Sequence, residues 1–319
     1  MARLAPCQPI VFGVAVVAVL IQLLTAARYG YFRDELYYLV CARHLAWGYV
    51  DQPPLIAFVT WFVRHTTGDS LYSLRLLPAL AAGATVWIAG RLAQALGAHG
   101  FGQGIAALAV LIAPGYLIFF HLLTMNAFEP LLWTANAFLL VRIIQLGNQR
   151  LWLWFGVLSG IGILNKWSML LFGLGVVVGL VLTQERRQFS SRWIWLGFAI
   201  SMMIWLPNIV WNFQHHWPFF ELMRNVRSSG RDVSLSPLPF LVDQALFMNC
   251  VTAPLWISGA WWLFFGTEGN GQNARGRYRV LGWTYLFLLA LFVVARGKSY
   301  YLWPIYPALF AAGGAALEQ

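Results

Sequence analysis

Charged residues are scarce in this sequence, and their scarcity limits the class of protein. Only 10% of the 319 residues are charged, whereas 60% are hydrophobic and 16% are aromatic. An ordinary soluble domain carries about 25% charged residues, so this chain has too little polar surface to cover a water-soluble globule. The composition therefore excludes a soluble enzyme and a disordered chain, and it predicts a membrane protein with several spans.

Cysteine, lysine and acidic residues are scarce as well. The three cysteines are scattered and odd in number, which argues against a disulfide framework and a zinc site. Asp and Glu total 11 against 21 Lys and Arg, for a net charge of +10, and only Lys166 and Lys298 are lysines. In a membrane protein, arginines in short loops that face anionic lipid account for this charge. No nucleic-acid partner is expected.

The apolar runs are continuous rather than alternating, which indicates membrane-spanning helices and not barrel strands. A span needs about 20 mostly apolar residues. The runs predict an all-α polytopic membrane protein with about 9–10 transmembrane helices, and residues 1–319 are predicted to form one membrane domain without a soluble module. The candidate spans are residues 9–27, 75–96, 104–121, 128–146, 151–165, 167–183, 192–212, 240–265, 279–295 and 300–316.

Short arginine-rich turns suggest the orientation. The first run lacks a clear cleavage site and is interpreted as a span rather than a signal peptide, with the N-terminus in the cytoplasm. Alternation then places four turns in the cytoplasm, where the positive-inside rule expects them. These turns and their flanks carry Arg91, Arg142, Arg150, Arg186, Arg187, Arg192, Arg275, Arg277 and Arg279. Two long loops, 28–74 and 213–239, then lie outside.

The first outer loop concentrates the candidate site residues. Its segment 29–55 reads YGYFRDELYYLVCARHLAWGYVDQPPL and predicts an amphipathic helix in the membrane interface. Asp34 and Glu35 lie at the start of this helix, where the helix dipole favours acids. A second short apolar stretch, 55–63, is predicted to lie along the surface. The alternative for the acidic pair is a solvated helix start paired with Arg33.

Further charged residues are expected at the same membrane surface. Asp51 returns a third carboxylate after one short helix, and Lys166 and Lys298 both fall at the outer ends of predicted spans. Three acids and two lysines at one leaflet suggest a site and not only a scaffold.

These segments, taken in order, resemble a known family. RDELYY, a short helix and a D-x-P-P-L turn resemble the first periplasmic loop of glycosyltransferase family 39. Further matching segments are MNAFEPLLW at 125–133, LNKWSML at 164–170, LPNIVW at 206–211, QHHWP at 214–218 and GKSYYLWPIYP at 297–307. This family belongs to the GT-C class and includes protein O-mannosyltransferases and aminoarabinose transferases.

The resemblance implies the fold, the reaction and its place. It implies a GT-C-like helical bundle with interfacial helices in the first periplasmic loop, in a bacterial cytoplasmic membrane. The reaction would be inverting transfer of a sugar from a polyprenyl-phosphate donor to a lipid, glycan or protein acceptor at the periplasmic face. Many family members are longer, so this chain is either a compact member or an incomplete one.

The resemblance also implies roles for the first-loop acids. Asp34 is expected to be the catalytic base, because the first acid of the D-E pair has this role in the family. Glu35 is expected to orient Asp34 or to help bind a divalent ion, with an ion pair to Arg33 or Arg43 as the alternative. Asp51 stands where aminoarabinose transferases have a glutamate near a metal and the acceptor. Gln52 stands where those enzymes have a phosphate-binding lysine, which puts an aminoarabinose assignment in doubt.

The remaining candidates are expected to bind substrate. Lys166, Lys298 and Tyr301 would flank the lipid phosphate, and the alternatives are a snorkelling lysine and a plain aromatic belt. Asn126 and Glu129 would hydrogen-bond sugar hydroxyls, although Glu129 could instead cap a helix. Asp51 and His215 are weak candidates for a divalent metal site.

Two other functions compete with sugar transfer. One is a secondary transporter, although nearly all charges lie at predicted span ends and no inverted repeat is visible. The other is a protein of the same fold that binds or flips a lipid-linked glycan without catalysis. Neither a βαβ pattern nor a glycine-rich phosphate loop supports an enzyme that uses nucleotide sugars.

Overall fold

The described part of the chain is helical throughout. The structure is a computed structural model and describes residues 8–229, 234–266 and 276–318. These residues form 15 α-helices and no strand, which confirms the predicted all-α class. The helices are α1 (Pro9–Thr25), α2 (Arg33–Cys41), α3 (Leu55–Thr66), α4 (Leu71–Ala95), α5 (Gly100–Ile112), α6 (Pro114–His121), α7 (Met125–Leu146), α8 (Leu151–Asn165), α9 (Ser168–Val181), α10 (Arg192–Gln214), α11 (Pro218–Ser228), α12 (Pro237–Phe247), α13 (Ala253–Phe265), α14 (Arg279–Val294) and α15 (Tyr306–Ala316).

Some of the predicted spans are single long helices, and others are bent pairs or shorter apolar helices. By length and composition, α4, α7 and α10 are each able to cross a membrane. Three bent pairs raise the number to as many as six, and α1, α8 and α14 are shorter apolar helices. These counts refer to the described ranges. The chain is therefore an integral membrane protein with several apolar helices.

Two predicted spans are bent, and a third is shorter than predicted. The 104–121 run bends by 62° between α5 and α6, because Pro114 lacks a backbone N–H and disfavours helical geometry at Ala113. The 240–265 run bends by 92° between α12 and the segment that contains α13. The 300–316 run opens with two short 3₁₀ turns, so that α15 has only 11 residues. Hydropathy measures how apolar a run is and does not detect where its helix breaks.

The short helix α15 lies at the centre of the bundle. Every residue from Tyr306 to Ala315 is buried, and alanine and glycine fill much of this helix. It packs against α4, α5 and α13. By contrast, α1 and α10 expose large apolar side chains such as Phe12, Leu24 and Phe213. A large exposed apolar surface of this kind suits contact with lipid.

Helices α8 and α10 approach each other through glycine. A Cβ atom on Gly156 would overlap the carbonyl oxygen of Gly197, and a Cβ atom on Gly197 would overlap the carbonyl oxygen of Trp152. Small residues permit this close backbone approach, which is common between membrane helices. The obstacle is backbone, so a larger residue has to push the helices apart.

The Gly156→Leu substitution is expected to destabilise the protein by about 1–3 kcal/mol, the usual cost of overpacking. The measurement is the midpoint of thermal unfolding of the purified protein in detergent. Gly173→Leu is the matched control, because a Cβ on this α9 glycine meets nothing within 4 Å. Equal midpoints for the two variants would show that the α8–α10 contact is not tightly packed.

Candidate functional site

Helix α2 carries the acidic pair on a well-defined first turn. It corresponds to the amphipathic helix predicted within 29–55, and α3 corresponds to the predicted surface stretch. The backbone N–H of Phe32 donates to Oε2 of Glu35 at 2.9 Å. This bond satisfies a donor that would otherwise be free at the helix start, and the dipole further favours both acids there.

Glu35 is fully buried and forms an ion pair with Arg75 of α4. The guanidinium donates from Nη2 to Oε2 at 2.7 Å and from Nε to Oε1 at 3.0 Å. The backbone N–H of Leu123 also donates to Oε1, at 3.0 Å. The sequence offered an ion pair to Arg33 or Arg43 as the alternative role of Glu35, and the partner is instead Arg75. A carboxylate enclosed in this way positions its helix and is not accessible to substrate.

Arg75 also holds the connection between α1 and α2. It donates to the carbonyl oxygens of Ala26 at 2.6 Å, Gly30 at 2.8 Å and Tyr29 at 3.0 Å. One buried side chain thereby fixes the end of α1, the start of α2 and, through Glu35, the turn before α7. This role of Arg75 was not expected from the sequence, where the available signal was a single charge in the apolar run LRLLPAL.

Asp34 remains accessible beside this buried pair. Its side chain is 36% exposed, and its ion-pair partner is Arg33, whose side chain is 86% exposed, at 3.0 Å. Exposed ion pairs of this kind contribute little free energy. Asp34 is therefore held in place by its helix and yet free to exchange its partner.

Asp51 and Gln52 lie against the other part of α2. The Tyr37 hydroxyl donates to Oδ1 of Asp51 at 2.8 Å. Gln52 is buried, with Nε2 at 3.7 Å from the Cys41 sulfur and with Oε1 lacking a partner in the described structure. Burial raises the pKa of Tyr38, and the negative charges of Asp34 and Asp51 raise it further. Both carboxylates therefore lie near Tyr38.

Lys166 joins two other predicted site residues. It is in an extended conformation between α8 and α9. Its Nζ donates to Oε2 of Glu129 at 2.7 Å and to Oδ1 of Asn126 at 2.9 Å. The Ser168 hydroxyl donates to the other Glu129 oxygen. Glu129 is buried, and its carboxylate pairs with Lys166 instead of capping its own helix.

Tyr300 lies beside Lys166 and belongs to the segment at 297–307, which also contains Lys298 and Tyr301. The Lys166 ammonium lies 5.1 Å from the ring centroid of Tyr300 and 5.2 Å from that of Tyr301, and the Lys298 ammonium lies 6.0 Å from that of Tyr300. Burial raises the pKa of Tyr300, and the charges of Tyr301, Glu129 and Asp34 add to this. The structure therefore brings Glu129 and both lysines to the surroundings of one tyrosine, and the charge of Asp34 acts on that tyrosine as well.

The described residues do not contain a candidate metal centre. No three His, Cys, Asp or Glu side chains come together among residues 8–229, 234–266 and 276–318. Asp51 bonds to Tyr37, whereas the ring of His215 stacks on Trp211 with centroids 4.1 Å apart. The proposed pairing of Asp51 and His215 at a metal thus finds no support.

The second outer loop reaches the same region through aromatic contacts. Phe219 of α11 packs edge-on against Trp167, with centroids 4.7 Å apart. Asn208 of α10 accepts from the Trp167 indole at 3.3 Å and donates to the Trp47 carbonyl at 2.7 Å. Arg231 and Asp232 of this loop lie outside the described residues.

Known proteins share both sequence and fold with this chain. The family model described as dolichyl-phosphate-mannose-protein mannosyltransferase matches residues 51–211. The lipid A galacturonosyltransferase RgtD of Rhizobium johnstonii is 26% identical over 192 residues, which are 58% of this chain and 39% of that protein.

Two crystal structures of ArnT from Cupriavidus metallidurans have a similar fold. The structure bound to undecaprenyl phosphate gives a TM-score of 0.76 at 19% identity, and the apo structure gives 0.75 at 18%. The matches cover 97% and 96% of this chain and 59% of each ArnT chain. The present chain therefore spans less than two thirds of the length of these relatives.

Proposed function

Because the chain belongs to the dolichyl-phosphate-mannose-protein mannosyltransferase family, we propose that it transfers a sugar from a polyprenyl-phosphate donor to an acceptor at the membrane surface. The family resemblance and the GT-C-like helical fold expected from the sequence are confirmed. The observation that carries the proposal is the pair of lysine ammonium groups beside the Tyr300 ring, 5.1 and 6.0 Å from its centroid. The accessible carboxylate of Asp34 joins them in the proposal, because its charge acts on the same tyrosine.

Asp34 acts as the general base in this proposal. It removes the proton of the acceptor hydroxyl while that oxygen attacks the anomeric carbon, and the bond from this carbon to the lipid phosphate breaks. A positioned carboxylate suits this step because it needs only to be reachable and deprotonated. Glu35 and Arg75 act as positioning residues that fix the turn on which Asp34 lies.

The partners of the acids nearest Asp34 favour inversion. Asp51 is exposed, but its Oδ1 accepts a hydrogen bond from the Tyr37 hydroxyl at 2.8 Å. A retaining double displacement needs a second carboxylate as the nucleophile, about 5–5.5 Å from the first. Glu35 is adjacent in sequence, but it is buried and paired with Arg75. A single displacement by the acceptor is the reaction that this arrangement supports.

Lys298 is proposed as the principal cation for the departing phosphate. Among the described residues its ammonium has no ion-pair partner, and it lies near Tyr300. Lys166 is partly neutralised by Glu129, so its charge is less available to an anion. We propose that Lys166 shapes the site together with Asn126 and Glu129, which face sugar hydroxyls, and that Tyr301 flanks the phosphate. Cations stabilise the negative charge that develops on a leaving phosphate.

The names of the relatives suggest donors and acceptors for this chain. One similar structure holds undecaprenyl phosphate, which supports a polyprenyl-linked donor. A similar sequence is named for lipid A, whereas the family is described for protein mannosylation. A lipid, glycan or protein acceptor at the periplasmic face of a bacterial inner membrane is therefore proposed.

The test is sugar transfer by the purified full chain in lipid nanodiscs. A panel of polyprenyl-phosphate sugars is supplied with bacterial envelope glycolipids, and the release of free polyprenyl phosphate is measured by mass spectrometry. The proposal expects acceptor-dependent release and a product with inverted anomeric configuration. Movement of the donor between leaflets without release of polyprenyl phosphate would instead identify a flipping protein.

Lys298→Gln is expected to weaken donor use by about 10–100-fold in kcat/KM, because a charged hydrogen bond to phosphate contributes roughly 1.5–3 kcal/mol. Steady-state kinetics over a range of donor concentrations measure this loss. Lys298→Arg keeps the charge and should recover part of it. Arg28→Gln replaces an exposed arginine in the turn after α1 and should leave kcat/KM for the donor unchanged. An equal loss in this variant would point to surface charge rather than to Lys298.

A further inference from the structure

A second charged region lies where the end of α2 meets the end of α3. An open depression of about 390 Å³ is lined there by Ala42, Arg43, Trp61, Arg64, His65 and Asp69. We call it the basic depression. Two arginines and a histidine face one acid in it, and none of these residues belongs to the site described around Tyr300.

Arg64 and Asp69 form its fixed part. Arg64 donates to Asp69 from Nε at 2.6 Å and from Nη2 at 3.0 Å, and from Nη1 to the Leu39 carbonyl at 3.4 Å. The hydrogen bond from Arg64 lowers the pKa of Asp69, and the charges of Arg64, Arg43 and His65 add to the effect against an opposing effect of burial. Arg64 is thereby largely neutralised, so it shapes the wall more than it attracts an anion.

Arg43 supplies the available positive charge. Its side chain is exposed, and no partner is found for it among the described residues. Counting Arg43 and Arg64 against Asp69 leaves one net positive charge before His65 is included. A planar guanidinium with free donors binds phosphate and carboxylate in a bidentate manner.

His65 offers a polar nitrogen beside Arg43. Its ring packs on Trp61, with centroids 4.6 Å apart, and its Nδ1 lies 2.7 Å from the Trp61 carbonyl oxygen. A carbonyl oxygen only accepts, so Nδ1 carries the hydrogen, and Nε2 is left for a ligand. An oxyanion that still carries a proton, such as hydrogen phosphate, can donate a hydrogen bond to Nε2.

We propose that the basic depression binds an oxyanion of the acceptor, a phosphate or carboxylate, and so selects acidic acceptors. This inference rests on the proposed sugar transfer at Asp34. Asp34 and Arg43 are nine positions apart, mostly within α2, which corresponds to a rise of about 13 Å along the helix axis at 1.5 Å per residue. The acceptor then carries its anionic group at least about that far from the hydroxyl that receives the sugar, a spacing suited to an acidic glycolipid headgroup or a short acidic glycan.

Phosphate binding tests the depression directly. The full chain is purified in an alkyl maltoside, which contains no phosphorus, and broadening of the ³¹P signal of inorganic phosphate is measured. All variants carry Lys298→Gln, which removes the strongest competing phosphate contact. Arg43→Gln is expected to weaken phosphate binding about tenfold or more, whereas Arg43→Lys keeps most of it. Equal binding by the Arg43→Gln and Arg28→Gln proteins would overturn the proposal.

Acceptor kinetics, measured without Lys298→Gln, test the link to transfer. Arg43→Gln is expected to raise KM for a phosphorylated glycolipid acceptor about tenfold and to leave KM for the donor unchanged. The same acceptor after phosphatase treatment should not distinguish wild type from variant. Inhibition by phosphatidic acid in the nanodisc but not by soluble phosphate would assign the depression to membrane lipid and overturn acceptor binding. Phosphate binding at Arg43 without any sugar transfer would retain an oxyanion site and reject the proposed function.

Discussion

The Asp34→Asn protein is expected to fold normally and to transfer sugar about 10²–10⁴ times more slowly, the usual contribution of general base catalysis. Asparagine keeps the shape of the side chain and removes its ability to accept the acceptor proton. The loss should appear in kcat, while KM for the donor changes little, because the proposed phosphate contacts at Lys298 are untouched. Quenched time points analysed by mass spectrometry give both parameters.

The free energy of unfolding of this variant should be close to that of the wild type, because Asp34 contributes little to stability. Within the described ranges its ion-pair partner is the exposed side chain of Arg33, and such pairs contribute about 0–1 kcal/mol. The buried contacts of the same helix turn belong to Glu35. An unchanged unfolding midpoint together with lost turnover would separate a chemical role from a structural one.

Glu221→Gln provides the matched control. Glu221 is an exposed carboxylate of α11 in the second outer loop, so the substitution removes one outer charge without touching the site around Tyr300. It should retain wild-type turnover. Full activity of Asp34→Asn would remove Asp34 as the base and direct attention to Asp51, the other acid near Tyr38.

Hydropathy predicted the positions of the helices but not their breaks. Long apolar runs predicted α4, α7 and α10 well, because burial in lipid demands a continuous apolar helix. The bend near Pro114 had a local signal in its proline. The 3₁₀ turns before α15 had none in hydropathy, since a buried broken helix is as apolar as a span.

The site residues were predictable as a set, but their pairing was not. The sequence indicated Glu129 and Lys166 separately, and the structure shows that they form an ion pair across 37 positions of the chain. Arg75 pairs with Glu35 across 40 positions. Such contacts follow from how helices pack, and no periodicity within either segment records them. The alternative role considered for Glu35, an ion pair to its sequence neighbours Arg33 or Arg43, therefore named the wrong partner.

Replacing Arg75 by Met should produce the largest loss of stability, about 3–5 kcal/mol, because it leaves the Glu35 carboxylate buried without its cation. The same change frees the carbonyl groups of Ala26, Tyr29 and Gly30 from their shared donor. The unfolding midpoint in detergent measures the loss of stability. Transfer activity, at a temperature where the variant is folded, measures the effect of releasing the connection between α1 and α2.

A double variant separates stability from positioning. Adding Glu35→Gln to Arg75→Met removes the unpaired charge, and replacing both members of a buried pair is far less costly than breaking it. The double variant should regain much of its stability and yet retain a low kcat with a nearly normal donor KM, because the start of α2 is no longer tied to α4. The control variant is Glu185→Gln, which breaks the Glu185–Arg187 ion pair. This pair lies near the predicted cytoplasmic ends of α9 and α10, so kcat should be unchanged. Wild-type kcat in the double variant would show that Arg75 and Glu35 stabilise the bundle without orienting Asp34.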